Sequence, residues 1–350
     1  MNEYTFNKTD DNSTGLYNNV VNDIYHSSSG AIKESLQKFI FPSGIAHELN
    51  TDKKINILDV CYGIGYNSKA AIYYLSRKNK IKVHIDALEI NKDLIYLSPL
   101  INDCIPSKDI DFYLMQQIAD NFSDYQDNLM NLIFNILDSD IIYFNPRIIQ
   151  FLKNYYNSPS KYSLNSSKSP HLHNIYYHYI SNSIKKDSKY RFLENINIEY
   201  HTKDARRSML ELGNAYDYIF LDAFTPLKDP TLWTYDFLKL IKSRMNPNSV
   251  LISYSNSTPF RSALVELKFY VGKIINNKKS YGTIASTNPE KIQNLLNEYE
   301  IGLTKTRSGI FYKDPGLNLS KNEIIMNRTT EKSNSDIITA SKYKKIYMNE

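Results

Sequence analysis

The chain has 350 residues, a formal net charge of +5 and 42% hydrophobic residues, which suits one large or two small domains with a packed core. The mild positive charge permits an RNA partner without requiring one, and only two cysteines exclude a disulfide framework. A polar N-terminus and the lack of a long apolar run predict a soluble cytoplasmic protein without a membrane span.

Residues 1–50 precede the first clear strand and are predicted to form an N-terminal extension. Its first 15 residues are polar and are expected to run over the surface. A helix is predicted at 31–41, with Ser28 or Ser29 as its N-cap. Tyr25, just before this helix, either faces a pocket or belongs to a surface turn.

A strand, a tight turn and a helix are predicted next. The apolar run 55–60 reads as a buried strand, and the amphipathic segment 67–77 reads as a helix. Gly63 and Gly65 between them allow the backbone to turn sharply and to approach a ligand closely. The first N–H groups of the helix would point at that ligand.

Two acids at strand ends indicate which ligand this is. The second strand, 81–88, ends in Glu89, which is placed to accept hydrogen bonds from two ribose hydroxyls. Asp59 stands at the start of the turn, and the third glycine of a dinucleotide-binding turn is missing. A carboxylate at that place repels a pyrophosphate but suits the cationic S-adenosylmethionine (SAM). The sequence therefore favours SAM over a nicotinamide or flavin nucleotide and over a glycine turn without a ligand.

The stretch 110–192 has no such glycine signals and is predicted to be a largely helical insertion. It holds amphipathic segments at 127–137 and 146–155. Three histidines between residues 171 and 178 do not share a helical face, and no carboxylate or cysteine completes a metal site with them. We therefore expect no metal and favour packing or an aromatic surface facing RNA.

The third strand, 196–200, is followed by Asp204 and Ala205. In a SAM fold this pair lies near the adenine, where the carboxylate can accept from the exocyclic amine. Asp204 also suits the N-cap of a helix at 206–212, and the two roles are compatible.

The next strand, 216–221, ends in Asp222. Ligands of doubly wound sheets bind outside the carboxyl ends of the strands, so Asp222 is predicted to project toward the reacting methyl group and its acceptor. The alternative is a strand-end acid that caps the following turn. The remaining predictions are a helix at 235–245, a strand at 249–254, a helix at 257–267, a strand at 269–274, an edge segment at 303–312 and a disordered tail at 329–350.

The segment Asp222–Trp233 reads D-A-F-T-P-L-K-D-P-T-L-W. It resembles the D-[AG]-F-[SA]-P-x-K-x-P-x-x-W signature of the MnmC-type tRNA methyltransferase domain family. Further segments resemble this family in the same order along the chain: Thr9–Tyr17, Tyr25–Ser35, Leu58–Asn67, Gly282–Ser286 and Ser308–Pro315. Together they span about residues 9 to 316. The long region 110–192 and Lys313, where an arginine is usual, depart from the pattern.

The resemblance implies an α/β, Rossmann-like class I SAM-dependent methyltransferase. The extension 1–50 would close the SAM site, and the methyltransferase domain would cover 51–318 with the insertion at 110–192. The implied reaction converts 5-aminomethyl(-2-thio)uridine at tRNA wobble position 34 to its 5-methylaminomethyl form. The anticodon loop of tRNA would be the partner. No FAD-dependent oxidase domain follows in this chain, so a separate enzyme is expected to supply the aminomethyl group.

The resemblance also implies residue roles. Asp222 would hold the amine and accept its proton, and Phe224 would wall the acceptor pocket. The cofactor would be held at its methionine end by Asp59, Gly63, Gly65 and Asn67, at its ribose by Glu89, at its adenine by Asp204 and Ala205, and closed over by Tyr25 and Glu34. The candidates for phosphate contacts are Lys228, Arg261 and Arg307.

Two other classes of function remain open. One is a SAM-fold enzyme that acts on a small-molecule amine, in the manner of aminopropyltransferases. The mild basic charge and the D-A-F-T-P-x-K segment argue against it. The other is a non-catalytic RNA-binding protein that keeps a SAM fold. The complete set of Gly63, Gly65, Glu89 and Asp222 argues against that.

Overall fold

The computed structural model describes residues 4–105, 108–125, 141–157, 193–276 and 279–348. The chain divides into two compact units, of which the first comprises 1–55 and 62–202 and the second 56–61 and 203–350. The predicted amphipathic segment 127–137 and the histidines between 171 and 178 lie outside the described residues.

The main feature is a seven-stranded sheet. Its strands are β4 (Lys53–Val60), β5 (Ile81–Leu88), β6 (Ile196–His201), β7 (Tyr216–Leu221), β8 (Met245–Ser253), β9 (Tyr270–Asn276) and β10 (Lys279–Ser286). They lie in the order β6-β5-β4-β7-β8-β10-β9. The pairs β4–β7, β5–β6 and β7–β8 are parallel, whereas β10 is antiparallel to both of its neighbours. The reversal of strand order at β4 is typical of doubly wound sheets and confirms the predicted Rossmann-like class.

The central strands carry most of their apolar residues in their second halves, where they are buried. Ile57, Leu58 and Val60 of β4 are fully buried, as are Ile219 and Leu221 of β7. Parallel strands read as continuous hydrophobic runs because both faces of the sheet are covered. That is why the sequence located these strands to within about two residues.

The helices are α1 (Ala31–Ser35), α2 (Tyr66–Leu75), α3 (Lys92–Leu97), α4 (Lys108–Asn121), α5 (Pro146–Asn157), α6 (Ala205–Glu211), α7 (Tyr235–Ser243), α8 (Thr258–Glu266), α9 (Glu298–Thr304), α10 (Lys321–Ser333) and α11 (Ala340–Met348). A wider π turn continues α1 over Leu36–Ile40, and a last turn follows at Phe41–Ser43. Within the described part of the chain, no helix is both long and apolar enough to cross a membrane.

The N-terminal extension is a folded hairpin. Strand β1 (Tyr4–Lys8) pairs with β2 (Thr14–Asn18), which pairs in turn with the short β3 (Asp23–Ile24). Its first turn caps α1 from a distance. Ser13 Oγ accepts the N–H of Ala31 at 3.1 Å, and Asp11 Oδ2 accepts the N–H of Lys33 at 2.9 Å. The predicted capping by Ser28 or Ser29 is therefore wrong, because Ser13 and Asp11, which lie about twenty residues earlier in the sequence, supply the acceptors.

The C-terminal region differs from the sequence-based expectation. The predicted edge segment 303–312 instead contains the end of α9 and a short turn at Arg307–Gly309. Asn297 and Glu300 form a capping box, which starts this helix before the segment that was read as an edge.

The tail expected to be disordered from residue 329 carries helices in the structure. Ser320 and Glu323 form a capping box at the start of α10. In α11, Tyr343 stacks on Tyr299 of α9 with ring centroids 5.8 Å apart. This polar sequence thus packs a half-buried tyrosine ring against α9, which mean composition does not reveal.

Candidate active site

The glycine turn between β4 and α2 has the backbone shape expected of a ligand cradle. Cys61, Gly63 and Gly65 all have positive φ, at 67°, 57° and 82°. A Cβ atom added at Gly65 would lie 2.4 Å from the Tyr62 hydroxyl oxygen and 2.6 Å from Ser98 Oγ. Gly65 is thus required both for its left-handed conformation and for its lack of a side chain.

Glu89 is fixed beside this turn. It follows β5, and its N–H donates to the carbonyl of His201 at 3.0 Å. Its Oε2 accepts the N–H of Gly63 at 2.9 Å, and its Oε1 accepts the N–H of Asn91 at 2.9 Å. Burial raises the pKa of Glu89 above its ordinary value. A carboxylate can accept about four hydrogen bonds, so beside the backbone N–H groups of Gly63, Asn91 and Ile90 this side chain keeps capacity for a ribose hydroxyl.

The N-terminal extension reaches the surroundings of Glu89. The hydroxyl of Tyr4 hydrogen bonds to the side-chain amide of Asn91. Burial raises the pKa of Tyr25, and the nearby charge of Glu89 adds to this effect. Tyr25 is held by its own N–H, which donates to the carbonyl of Leu16 at 2.8 Å.

Glu34 makes its hydrogen bonds close to its own helix. Its Oε2 accepts the N–H of Ser27 at 2.7 Å, and its Oε1 pairs with Lys38 one turn later. The carboxylate thereby fixes the loop between β3 and α1. Its proposed contact with the methionine end of SAM has no separate support in this geometry.

His26 occupies the same loop and is enclosed. Its ring packs edge-on against Tyr66, the first residue of α2, with centroids 4.7 Å apart. Its Nε2 is buried and has no hydrogen-bond partner among the described residues. Burial lowers the pKa of His26 to about 4, so the imidazole is neutral at physiological pH.

The two remaining candidates for the methionine end are buried. Asp59 lies on β4 in register with Phe220 of β7 and is completely inaccessible to solvent. Asn67 lies in the first turn of α2 and is 6% exposed.

Asp204 and Ala205 begin α6, as predicted. The Asp204 side chain accepts the N–H of Arg206 at 2.8 Å and so acts as the N-cap. Ala205 is half-buried at the first position of the helix.

The loop after β7 is fixed through its backbone. The N–H of Asp222 donates to the carbonyl of Val60 at 3.1 Å. The Tyr254 hydroxyl donates to the carbonyl of Ala223 at 2.8 Å, and Trp233 Nε1 donates to the carbonyl of Phe224 at 2.7 Å. These bonds hold the backbone from Asp222 to Phe224 in place. The side chains of Asp222 and Phe224 are half-buried.

Trp233, the last residue of the segment 222–233, is fixed in the core and bonds back to the start of the segment. Its indole is completely buried and packs edge-on against Phe260, with centroids 4.9 Å apart. The carbonyl of Thr225 accepts the N–H groups of Lys228 and Asp229, at 2.8 and 3.0 Å, which closes the turn between Phe224 and the indole. The turn brings Trp233 back to bond the carbonyl nine residues earlier.

Comparisons with known proteins agree with this geometry. A family of S-adenosyl-L-methionine-dependent methyltransferases matches residues 168–288. The uncharacterised protein MJ0670 of Methanocaldococcus jannaschii is 31% identical over 349 residues, which cover 97% of this chain and 76% of that protein. The chain belongs to the S-adenosyl-L-methionine-dependent methyltransferases. SAM is therefore its cofactor, as the glycine turn and the two strand-end acids predicted.

A solved structure extends the likeness to the fold of almost the whole chain. MNMC2 from Aquifex aeolicus has a TM-score of 0.62 at 24% sequence identity, with 95% of this chain and 86% of that chain covered. The family match and this neighbour confirm the resemblance to the MnmC-type methyltransferase domain.

Arg261 and Arg307, which were predicted to bind phosphate, make structural hydrogen bonds in the methyltransferase. Arg261 Nε donates to Thr283 Oγ1 at 2.9 Å and its Nη2 to Asn256 Oδ1 at 2.6 Å. Burial lowers the pKa of Arg261. Arg307 Nη2 donates to the carbonyl of Ser335 at 2.7 Å. Lys228 is half-buried in the loop after β7.

A histidine and carboxylate cluster on β5 and β6 had no signal in the sequence. His84, Asp86 and Glu199 have potential metal-ligating atoms within 4.8 Å of one another. The buried Asp86 pairs with His84 Nε2 at 3.1 Å and with His201 Nε2 at 2.7 Å. Strand pairing creates this group, since Glu199 and His201 on β6 are more than 100 residues away from His84 and Asp86 on β5.

Proposed function

We propose that this methyltransferase transfers a methyl group from SAM to the primary amine of 5-aminomethyl(-2-thio)uridine at wobble position 34 of tRNA. The loop 222–233 is the observation that carries the proposal. Its sequence resembles the signature of the MnmC-type domain, and its backbone is held at Ala223 by Tyr254 and at Phe224 by Trp233. The fold shared with MNMC2 supports the same assignment.

The residues of the first unit suit the cofactor. Gly63 and Gly65 give the turn its left-handed backbone, and the adjacent Glu89 carboxylate, which accepts the N–H of Gly63, is our candidate acceptor for the ribose. The hydrogen bond between the Tyr4 hydroxyl and Asn91, two residues after Glu89, supports a role for the N-terminal extension in closing the SAM site. We assign Asp59, Asn67 and Glu34 to the methionine end, and Asp204 with Ala205 to the adenine.

The chemistry requires a neutral amine. SAM, when bound, supplies a methyl group on a positively charged sulfur. The sulfur leaves easily because it becomes a neutral thioether. The free amine of the substrate is protonated at neutral pH, and we assign Asp222, whose own N–H donates to the carbonyl of Val60, to take that proton. The amine nitrogen then has a lone pair with which to form the new N–C bond. Phe224 walls the pocket and excludes water, and positioning supplies most of the rate enhancement.

The wobble base must leave the anticodon stack to reach such a pocket. We therefore assign the tRNA anticodon loop as the macromolecular partner, with Lys228 as a phosphate contact.

The test is a methyl-transfer assay with radiolabelled SAM and two acceptors, tRNA that carries 5-aminomethyluridine and the diamine putrescine. Label in tRNA alone supports the proposal, and label in putrescine alone replaces it with the small-molecule reaction. SAM binding without transfer to either acceptor would favour the non-catalytic RNA-binding alternative. The Asp222→Ala variant should bind SAM normally and transfer no methyl group. Undiminished transfer would reject Asp222 as the base.

A further inference from the structure

Three charged side chains at the start of α6 form a continuous hydrogen-bonded group, which we call the Asp204–Arg206–Asp314 triad. Arg206 Nη2 donates to Asp204 Oδ2 at 2.8 Å, and its Nε donates to Asp204 Oδ1 at 3.1 Å. Its Nη1 donates to Asp314 Oδ2 at 2.8 Å and to the carbonyl of Leu319 at 2.8 Å. Bonds on both edges fix the plane of the guanidinium group.

Asp314 is in turn held by its surroundings. It is completely buried, and its Oδ1 accepts the N–H groups of Asn318 and Leu319 at 3.0 and 3.1 Å. Its own N–H donates to Asp236 Oδ2 at 2.6 Å. Asp314 is part of the late segment that resembles the family, and the proposed function gives it no task.

The side chains of the triad become more exposed from Asp314 through Arg206 to Asp204. The side chain of Asp314 is 0% exposed, that of Arg206 is 11% exposed and that of Asp204 is 38% exposed. Burial by itself raises the pKa of Asp204, but hydrogen bonds from Arg206 outweigh it and lower the pKa below its ordinary value. The accessible end is thus an ionised acceptor.

The two oxygens of Asp204 are not equivalent. Oδ1 accepts two bonds, from the backbone N–H and the Nε of Arg206, at 2.8 and 3.1 Å. Oδ2 accepts one short bond from Nη2 at 2.8 Å and a long one from Nε at 3.3 Å. The Nε donor is shared by both oxygens and its bond to Oδ2 is the longer one, so Oδ2 is the atom that can accept a ligand donor in place of that long bond.

We infer that Arg206 and Asp314 are positioning residues that aim Asp204 Oδ2 at the exocyclic amine of the cofactor's adenine. This inference rests on the proposed assignment of Asp204 to the adenine. An aimed carboxylate accepts from an amine but repels a carbonyl oxygen at the same place. The triad therefore sets a preference for adenine over a 6-oxopurine.

The test compares two ligands that differ at this position, S-adenosylhomocysteine and S-inosylhomocysteine, by calorimetry on the full chain. The variants are Asp314→Asn, which removes the charge behind Arg206, and Arg206→Lys, which keeps a charge but not the two-pronged bond. Glu331→Gln is the matched control. Glu331 pairs at 2.8 Å with the exposed Lys313, which precedes Asp314 in sequence, and within the described part of the chain it makes no hydrogen bond to the triad.

The wild type should bind the adenosyl ligand at least about tenfold more tightly than the inosyl ligand, because a site built for a donor rejects an analogue that lacks it. In both triad variants the ratio of adenosyl to inosyl affinity should fall by a factor of at least about five, and in Glu331→Gln it should stay the same. If Asp314→Asn does not fold, Arg206→Lys decides the question.

Two results would overturn the inference and leave the proposed function intact. One is a lower melting temperature of the triad variants with an unchanged ligand ratio, which would show a purely structural role. The other is equal wild-type affinity for both ligands. Failure of the wild type to bind either ligand would instead reject the proposed SAM site, and the inference with it.

Discussion

The Tyr254→Phe variant should slow methyl transfer without weakening SAM binding. This change removes only the hydroxyl that donates to the carbonyl of Ala223 at 2.8 Å, and the ring remains to pack against Trp233. A net hydrogen bond stabilises by about 0.5–1.5 kcal/mol. If the whole loss falls on the positioning of Asp222, the same energy raises the barrier and lowers kcat by about 2- to 13-fold.

Single-turnover transfer of labelled methyl to tRNA measures this rate, and calorimetry measures SAM affinity. Tyr281→Phe is the control, because Tyr281 lies on β10 with 37% of its surface exposed. An unchanged rate in Tyr254→Phe would show that the bond does not position the loop. A loss of SAM affinity by the same factor as the rate would move its role to cofactor binding.

Three further predictions concern the turn, the ribose site and the enclosed histidine. Gly65→Ala should lower the free energy of unfolding by at least about 1 kcal/mol for its left-handed backbone alone, whereas Gly213→Ala, where a Cβ meets nothing within 4 Å, should leave it nearly unchanged. Equal melting temperatures of these two variants would refute the tight fit at Gly65. Glu89→Ala should weaken SAM binding by about 1.5–3 kcal/mol, since charge-assisted hydrogen bonds to the ribose are lost, and unchanged affinity in calorimetry would place the ribose elsewhere. His26 has a folded-state pKa of about 4, below the unfolded value of about 6.5, so the unfolded chain binds more protons between these values. The free energy of unfolding should therefore fall by up to about 3 kcal/mol as the pH drops through that range, with a smaller drop in His26→Phe, and equal slopes in urea titrations would contradict the burial of His26.

Local patterns predicted the sheet and the turn because each depends on neighbouring residues. The run 55–60 is apolar because its strand is covered on both faces. Gly65 is required by one φ angle and by two atoms close to it. Glu89 and Asp222 stand at strand ends, where chain direction alone determines which edge of the sheet they reach.

Long-range contacts account for what the sequence did not show. The donor that holds Ala223 comes from Tyr254, and the acceptor that orients Arg206 comes from Asp314, 108 residues later. The cap of α1 similarly comes from Ser13, on an extension that was expected to lie loosely on the surface. The sequence around Tyr254 and Asp314 does not indicate which residue either side chain will bond, because the partner lies far away in the chain.

The most direct test of the central claim is nucleoside mass spectrometry of tRNA carrying 5-aminomethyluridine after incubation with the purified protein and SAM. The account predicts a gain of one methyl group at the wobble nucleoside, which is absent with Asp222→Ala. An unmodified wobble nucleoside, in the presence of demonstrated SAM binding, would contradict the proposed acceptor.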